Sequence, residues 1–413
     1  MGRSMKTFRS VIFWSHLLAG TIAGLVILAM SATGALLALK PQILNVIERD
    51  ARFVQVPQPG APPVGMDRVL AAARASKPDA QAVWLAVDRD PAKAAAVSFG
   101  RDATVWVDPY SGQVLGEGSK GATVFFRAIE DWHRWLGRPT ENRVAARAIT
   151  DACNLAFLCL AASGLYLWWP KSFTWRNLKA VLLFRRAATV RARDFNWHNV
   201  IGFWCAPVIV IMAATGAVIS YPWATNLLYR AMGSTPPQAA GARSAQASPA
   251  QTERGERRAA ASVDLDQLWA RAEQQLPTWS AITLRLPTRP GGPVSFTITD
   301  GESWNAFARS TLTLDAATGA IAQWQPYGGQ SLGQRARGWA RFAHTGELGR
   351  LPGQVIAGVA SAGAVVLVWT GLALALRRFL GWRPWKLRVN WGHHVPAAAN
   401  AASASAARAT ILE

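Results

Sequence analysis

The sequence is poor in the residues that carry covalent and acid-base chemistry in soluble proteins. Its 413 residues include three cysteines and six histidines, and only 16% are charged. The cysteines, Cys153, Cys159 and Cys205, all lie in apolar stretches, which excludes a disulfide framework and predicts buried free thiols. Acidic residues are also scarce, with 24 Asp and Glu against 44 Lys and Arg, so the net charge is +20.

Apolar and aromatic residues are in excess, because 51% of the chain is hydrophobic and 20 residues are tryptophan. Crossing about 30 Å of hydrocarbon takes roughly 20 helical residues. Four stretches without a formal charge approach or exceed that length: 11–39, 152–169, 199–229 and 351–376. We therefore predict a membrane α-helical protein with four transmembrane helices and soluble segments between them.

The composition between these stretches predicts the domain organisation. The predicted segments are transmembrane helix 1 (1–40), a first outer domain (41–147), transmembrane helix 2 (148–170), a basic loop (171–196), transmembrane helix 3 (197–224), a second outer domain (225–350) with a flexible linker (234–262), transmembrane helix 4 (351–377) and a tail (378–413). The linker is rich in Pro, Ala, Ser and Gly, which is typical of mobile segments. The first apolar run is too long for a signal peptide, so we expect it to remain as an anchor.

Lysine and arginine gather on one side of the predicted membrane. They cluster in the N-terminal flank, in the loop 171–196 and after the last apolar stretch, whereas the charge of 41–147 is nearly balanced. Positively charged loops are retained in the cytoplasm. We therefore predict that both termini are cytoplasmic and that both long segments lie outside. Because orientation explains the basic residues, the expected partner is the lipid bilayer and not nucleic acid.

Each outer segment contains strand-like runs that follow an amphipathic stretch. The runs are β-branched or aromatic and are separated by Asp, Pro and Gly. In the first segment they are 81–88, 94–100 and 103–116 after the amphipathic stretch 66–76, and in the second they are 281–287, 293–300 and 310–324 after 263–276. This pattern predicts two small α+β domains.

An internal repeat relates the first and third apolar stretches. One histidine and four residues at equal offsets match: His16 with Gly20, Met30, Thr33 and Gly34, and His198 with Gly202, Met212, Thr215 and Gly216. Eighteen residues make five helical turns, so each histidine shares a helix face with the last glycine of its set. We predict two pseudo-repeated halves. The nearer glycines, one turn from each histidine, are expected to remove bulk beside a bound planar group.

Several motifs resemble those of one membrane protein family. They are "WVDPYSGQVLG" and "TLDAATGAI" in the outer segments, "EDWHRWLGR" and "FAHTGELGRLPGQ" before the second and fourth spans, and "LAASGLYLWWPK". With the alternation of helix and outer domain, they resemble the PepSY-associated transmembrane-helix family, which includes bacterial inner-membrane siderophore-iron (ferrioxamine-type) reductases. The resemblance implies a bacterial inner membrane protein with two PepSY-like periplasmic domains.

The histidines are the candidate ligands. His16 and His198 begin the first and third spans on the cytoplasmic side, and His133 and His344 precede the second and fourth spans on the outer side. Two histidines per side, one from each half, fill both axial positions of one haem iron. No Cys-x-x-Cys-His motif occurs, so we expect two b-type haems without covalent attachment. His393 and His394 in the tail are expected to be solvated, and the sequence leaves the depth of His133 open.

The resemblance also implies a function. A ferric-siderophore is reduced in the periplasm and releases its iron, because reduction weakens the hold of hard oxygen ligands. We expect no flavin or nicotinamide site in the chain, so the electron donor is a quinol or a cytoplasmic flavin or iron-sulfur carrier. No side chain is expected to act as a catalytic acid or base.

A hypothesis from another class makes the histidines structural. The chain is then a non-enzymatic PepSY membrane protein that binds or inhibits a periplasmic peptide or protease, and it holds no haem. A reduced-minus-oxidised absorption spectrum of the purified protein distinguishes the two hypotheses, because only the first predicts the bands of a b-type haem.

The predicted orientation can be tested with reporter fusions. Fusions at Gly112 and Gly319 should be active only with a reporter that works outside the cytoplasm, and a fusion at Arg185 only with one that works inside, because of the distribution of Lys and Arg. The opposite pattern of activity would show that the orientation is reversed.

Overall fold

The computed structural model describes residues 2–100, 103–169, 174–236, 264–287, 292–302, 305 and 307–381. Most of the predicted linker 234–262 and of the predicted tail 378–413, with His393 and His394, lies outside the described residues. The chain divides into two compact units, Met1–Leu374 and Ala375–Glu413. Only the last residues of one helix are described in the second unit, so the following description concerns the first.

Helices and strands alternate along the chain in two similar series. The helices are α1 (Gly2–Ala38), α2 (Lys40–Ile47), α3 (Arg49–Arg52), α4 (Met66–Ser76), α5 (Lys120–Trp135), α6 (Arg143–Trp168), α7 (Trp175–Leu182), α8 (Val190–Ser220), α9 (Pro222–Ala231), α10 (Leu265–Gln275), α11 (Leu332–His344) and α12 (Arg350–Gly381). The strands are β1 (Trp84–Asp88), β2 (Ala95–Ser98), β3 (Thr104–Val107), β4 (Val114–Glu117), β5 (Trp279–Arg285), β6 (Val294–Asp300), β7 (Arg309–Leu314) and β8 (Ile321–Gln325). The helices α4 and α10 fall within the stretches that the sequence indicated, and each strand overlaps its predicted run, with β4, β5, β7 and β8 extending one or two residues beyond it.

Four helical segments of the described residues are long and apolar enough to cross a membrane: Thr7–Ala38, Lys120–Trp168, Val190–Ser220 and Glu347–Gly381. In their most apolar windows, only 6 to 33% of the residues are buried inside the protein. The remaining apolar side chains face outward, an arrangement that is favourable only in lipid. Inside a helix every backbone group can be satisfied by the helix itself, as the hydrocarbon requires.

The third span ends earlier than its apolar run. The charge-free run continues to Tyr229, but α8 ends at Ser220 and Tyr221 is extended. Pro222 then occupies the first turn of α9, because proline has no N–H to donate and is tolerated where a helix begins. Pro41 stands at the corresponding start of α2, after the end of α1.

The strands of the two outer segments form one antiparallel sheet of eight strands within the described residues. Its order is β4-β3-β2-β1-β5-β6-β7-β8. The first strand of each segment makes the junction, with five residue pairs from Trp84↔Arg285 to Asp88↔Ala281. The sequence predicted two α+β domains, and it gave no sign that their strands continue one another.

One face of this sheet is apolar and the other is polar. Leu85, Ile282 and Phe296 are completely buried on the apolar face, in one core cluster with side chains of α4 and α10. Strand residues alternate between faces, so the opposite face carries Thr283, which pairs with Thr297. A sheet with two different faces fixes its register strongly, because a slip of one residue would expose the whole core.

Reciprocal caps join the two helices on the apolar face. The Asp266 carboxylate accepts hydrogen bonds from the backbone N–H of Met66 and Asp67 at the start of α4. Asp67 accepts one from the N–H of Leu265 at the start of α10, at 3.1 Å. A Cβ on Gly65 would lie 2.1 Å from the Asp266 carboxylate, so only glycine fits there. Each segment thus satisfies helix N–H groups of the other.

The junction of the sheet can be tested by cross-linking. Ala86 pairs with Thr283 across β1 and β5, and Cα atoms of such pairs are about 4.5 to 5.5 Å apart, within the range of a disulfide. After replacement of the native cysteines, Ala86→Cys with Thr283→Cys should oxidise and hold the two halves together when a protease site in the linker is cut. Ala86→Cys with Thr311→Cys, two strands farther away, is the control. Equal cross-linking of both pairs on non-reducing gels would contradict the strand order.

Candidate functional site

The four predicted ligands form two pairs. We call His133 and His344 the sheet-side pair, because each belongs to the helix that follows the last strand of its segment. Their ring centres are 6.4 Å apart, and their planes are inclined by 57°. We call His16 and His198 the terminal-side pair. They lie on α1 and α8, each 18 residues before the glycine of the same helix that a sheet-side imidazole contacts. Each pair takes one histidine from each half of the chain.

Tight turns position the sheet-side pair. α5 ends two residues after His133, and Leu136 and Gly137 then adopt positive φ values of 53° and 67°. α11 ends at His344, and Gly346 follows with φ 75°. A Cβ on Gly346 would lie 2.7 Å from the backbone oxygen of Gly353. These turns reverse the chain between each short helix and its span, so that both histidines reach the spans.

Each histidine packs on a Ser-Gly or Thr-Gly pair of a neighbouring span. His133 contacts Thr33-Gly34 of α1, His344 contacts Gly216 of the Thr215-Gly216 pair of α8, His16 contacts Ser163-Gly164 of α6, and His198 contacts Thr370-Gly371 of α12. A Cβ on these glycines would lie 3.2 to 3.4 Å from Cε1 of the imidazole. Glycine therefore lets each ring lie directly against the helix backbone.

Hydrogen bonds fix each ring through Nδ1. The Nδ1 of His16 bonds Ser163 Oγ at 2.9 Å, and that of His198 bonds Thr370 Oγ1 at 3.0 Å. The Nδ1 of His133 bonds Thr33 Oγ1 and the carbonyl oxygen of Met30, both at 3.0 Å. The Nδ1 of His344 bonds the carbonyl oxygen of Met212 at 2.8 Å. In the described part of the chain, every hydrogen bond of these four rings is at Nδ1.

These partners determine the tautomer. A carbonyl oxygen only accepts, so Nδ1 of His133 and His344 carries the hydrogen. The hydroxyls of Ser163 and Thr370 donate to carbonyl oxygens of their own helices, both at 2.7 Å. Their oxygens therefore accept from Nδ1–H of His16 and His198. All four neutral rings keep a lone pair on Nε2, the state in which an imidazole binds a metal.

The two pairs lie at opposite ends of the spans. His16 and Gly34, which receives His133, are 18 residues apart on α1, and His198 and Gly216 have the same separation on α8. Eighteen residues of helix rise about 27 Å, close to the thickness of the hydrocarbon core. Gly34 and Gly216 each lie four residues before the end of their helix. His133, whose depth the sequence left open, thus lies level with the end of a span.

The two glycines expected beside a bound planar group pack on neighbouring spans. Gly20 and Gly202 were expected beside a bound planar group, one turn from their histidines. A Cβ on Gly20 would instead meet Leu160 of α6 at 3.7 Å, and one on Gly202 would meet Leu367 of α12 at 3.5 Å. Both are ordinary packing distances between helices, and the glycines against the rings are those of the Ser-Gly and Thr-Gly pairs.

Sequence reasoning missed Ser163, Gly164, Thr370 and Gly371 as partners of histidines. The signal was present, because Thr33-Gly34, Ser163-Gly164, Thr215-Gly216 and Thr370-Gly371 give each of the four apolar stretches one such pair. The repeat of α1 and α8 revealed two of them, and their partners lie roughly a hundred residues or more away along the chain.

Two motif spacings in the chain serve structural roles. Gly116, Gly118 and Gly121 match the spacing of a dinucleotide fingerprint, but the Glu48 carboxylate accepts from the backbone N–H of Ser119 at 2.8 Å, where a phosphate would bind. The stretch Gly329–Gly333 matches a hydrolase nucleophile motif. Its serine, Ser331, is the N-cap of α11 and forms a capping box with Gln334.

Each histidine pair thus presents two imidazole Nε2 atoms that have no hydrogen-bond partner among the described residues. Comparison with known proteins gives one family. The model of the PepSY-associated TM region matches residues 13–378. The chain belongs to this family. It is an integral membrane protein with four membrane-spanning helices. No curated protein sequence matches it significantly.

Proposed function

We propose that this PepSY-associated TM protein is a dihaem b-type electron-transfer protein of the bacterial inner membrane that reduces ferric-siderophore iron in the periplasm. The observation that carries the proposal is the paired arrangement of four histidines, each held through Nδ1 with Nε2 free. The sheet-side pair would hold one haem, and the terminal-side pair would hold the other.

The geometry of the sheet-side pair fits a six-coordinate haem iron. Bonds of imidazole nitrogen to first-row metals are about 2 Å long, so two axial nitrogens are about 4 Å apart. The ring centres of His133 and His344 are 6.4 Å apart. Subtracting the roughly 4 Å between the two nitrogens leaves about 2.4 Å. This is about twice the distance from a nitrogen to the centre of an imidazole ring. The separation of the ring centres is therefore the one expected for two imidazoles that hold one metal ion.

A bound haem supplies one-electron redox chemistry, and the chain supplies ligation and orientation. Donation from Nδ1–H makes an imidazole a stronger ligand and fixes its plane. Each ring lies against a glycine, so no side chain at that position of the supporting helix pushes the ring away. Within the described residues, the direct hydrogen-bond partners of the four rings are two carbonyl oxygens and three hydroxyls. Each hydroxyl donates to a carbonyl oxygen of its own helix and accepts from Nδ1–H, so the imidazole does not activate it as a nucleophile, which suits electron transfer better than bond cleavage.

The repeated architecture supports two pseudo-symmetric halves. Each half contributes a span with a histidine, a short helix, a layer helix on four strands, a second histidine and a second span. A two-fold relation between the halves predicts self-complementary contacts where equivalent elements meet. The β1–β5 junction and the reciprocal caps of α4 and α10 are such contacts. With the positive-inside pattern, both termini are cytoplasmic and the sheet is a pair of joined periplasmic PepSY-like domains.

Electron flow follows from this orientation. A quinol or a cytoplasmic flavin or iron-sulfur carrier donates on the terminal side, and a ferric-siderophore accepts on the sheet side. An electron that moves outward crosses the membrane potential in its favourable direction, which contributes about 2.3 kcal/mol for each 100 mV. The siderophore is inferred from the family resemblance, and the direction rests on the distribution of Lys and Arg.

Single substitutions test the pairing. His16→Ala and His198→Ala should each remove or convert the same component of the reduced-minus-oxidised spectrum, and His133→Ala and His344→Ala the other. The reason is that the pairs lie about 27 Å apart along the helices. A double substitution within one pair should lose little beyond either single one. Loss of one common component in both His16→Ala and His133→Ala, or a wild-type spectrum without haem bands, would sink the proposal.

The hydroxyl partners of the terminal-side pair should tune its potential. Without the hydrogen bond from Nδ1–H, the imidazole donates less charge and favours ferric iron less. Ser163→Ala and Thr370→Ala should therefore raise the midpoint potential of one component, by up to about 59 mV for a tenfold change in preference. Thr215→Ala is the matched control, because the Thr215 hydroxyl bonds Ile211 and Met212 oxygens and not His344. Equal shifts in the control would contradict this role.

A further inference from the structure

A cavity lies between the polar face of the sheet and the helices that lead to the sheet-side pair. Its volume is about 380 Å³, within the usual range of small-ligand sites. The walls come from β1 and β3, from α2 and α3, and from α5. All of these elements belong to the first half of the chain.

The cavity approaches His133 along α5. Phe126 lines it and is followed by His133 after seven residues. Seven residues are almost two helical turns, so the two side chains lie on nearly the same face, about 10 Å apart along the axis. Phe126 is 1% exposed and lies between the cavity and the spans. The lining continues past this turn to Glu130, Asp131 and Trp135, so the cavity reaches the end of α5 that carries His133.

The charges in the walls balance. Three cations, Lys40, Arg52 and Arg127, face three anions, Glu48, Glu130 and Asp131. Two of the cations are paired within the wall, Lys40 with Glu130 at 2.5 Å and Arg52 with Glu48 at 2.7 Å. In a chain of net charge +20, such a balanced wall disfavours a multiply charged anion, because its three carboxylates repel the anion and two of its three cations are already paired.

Aromatic side chains complete the walls. Trp84, Trp106 and Trp135 line the cavity, and the Arg52 guanidinium lies 4.7 Å from the centre of the Trp106 ring. The buried indole Nε1 of Trp106 has no hydrogen-bond partner within the described residues. A buried donor without a partner is costly. This nitrogen has essentially no accessible surface, so a ligand in the cavity contacts the aromatic faces of the wall and not the N–H.

The second half lacks the lining that makes this cavity. Pro41, Asn45 and Arg49 align with Pro222, Asn226 and Arg230, so Glu48 aligns with Tyr229 and Arg52 with Gly233. Tyr229 is 5% exposed, and its ring is packed so closely on α11 that a Cβ on Gly333 would lie 2.6 Å from it. An aromatic ring thus replaces the ionic wall of the first half, and the pseudo-symmetry is broken at this position.

We infer that this cavity binds the electron acceptor as an iron(III) chelate of little net charge, through the aromatic faces of its walls. The inference rests on the proposed function and adds the place of binding and the charge of the ligand. One electron from the reduced protein converts the chelated iron(III) to iron(II), and the protein is oxidised by one electron. No bond to the protein forms.

A redox-inert probe separates binding from reduction. Gallium(III) tris(acetohydroxamate), which is uncharged, should bind the full-length wild-type protein in detergent and quench its tryptophan fluorescence, whereas the trianionic gallium(III) tris(catecholate) should bind much more weakly. Thr104 lines the cavity, and Thr104→Trp should weaken binding of the uncharged probe about tenfold or more by filling the space. Thr311→Trp, at the corresponding position of β7, is the matched control and should bind normally.

A second variant tests the charge of the wall. Glu130→Gln leaves Lys40 without its carboxylate and should increase binding of the anionic probe while binding of the uncharged probe stays within about twofold. Haem spectra and size-exclusion profiles like those of the wild type establish that each variant is folded. Normal binding by folded Thr104→Trp, equal weakening by Thr311→Trp, a preference of the wild type for the anionic probe, or no binding of either probe would overturn the inference. None of these outcomes bears on the haem pairs, which the absorption spectra of the histidine variants test.

Discussion

The hydrogen bond from Nδ1 of each histidine to a neighbouring span is the interaction on which the site depends. It fixes the tautomer, holds the plane of the ring and leaves Nε2 free. It also ties helices of different parts of the chain together, because each bond joins a histidine to a helix at least a hundred residues away. The positions of the histidine rings and the packing of the helices are therefore not independent. The small residues that allow close packing in lipid also lie directly against each ring.

The sheet extends this coupling outside the membrane. The β1–β5 junction and the caps exchanged between α4 and α10 bind the first outer segment to the second. Both sheet-side histidines follow directly from this layer, since α5 and α11 come immediately after the last strands of their segments. A continuous sheet thus sets the distance between the two histidines that approach from outside the spans.

Much of the fold is visible in the sequence because its periodicities are local. Apolar runs give the four spans, and alternating runs bounded by Asp, Pro and Gly give the strands. Ser220 ends a span inside an apolar run because of Pro222, and that signal is also local. The sheet junction is different, because it pairs Trp84 with Arg285, and either edge strand could have been left unpaired or covered by a helix. The residues that contact the histidines are also far from them along the chain. The shared face of His16 and Gly34 was predicted from helix geometry. Gly34, however, contacts His133, and His16 contacts Ser163 and Gly164.

The order of the sheet has a consequence for synthesis of the chain. β1 is an interior strand only after β5 has emerged, and about two hundred residues separate them. At about 5 to 20 residues per second, translation leaves the edge of β1 open for roughly 10 to 40 s. Open strand edges pair readily with other chains. The terminal-side pair is complete once His198 has been made, but the sheet-side pair is complete only with His344, after β5 has closed the edge of β1. From its own synthesis until then, His133 has no partner imidazole in the same chain, and a second nascent chain could supply one.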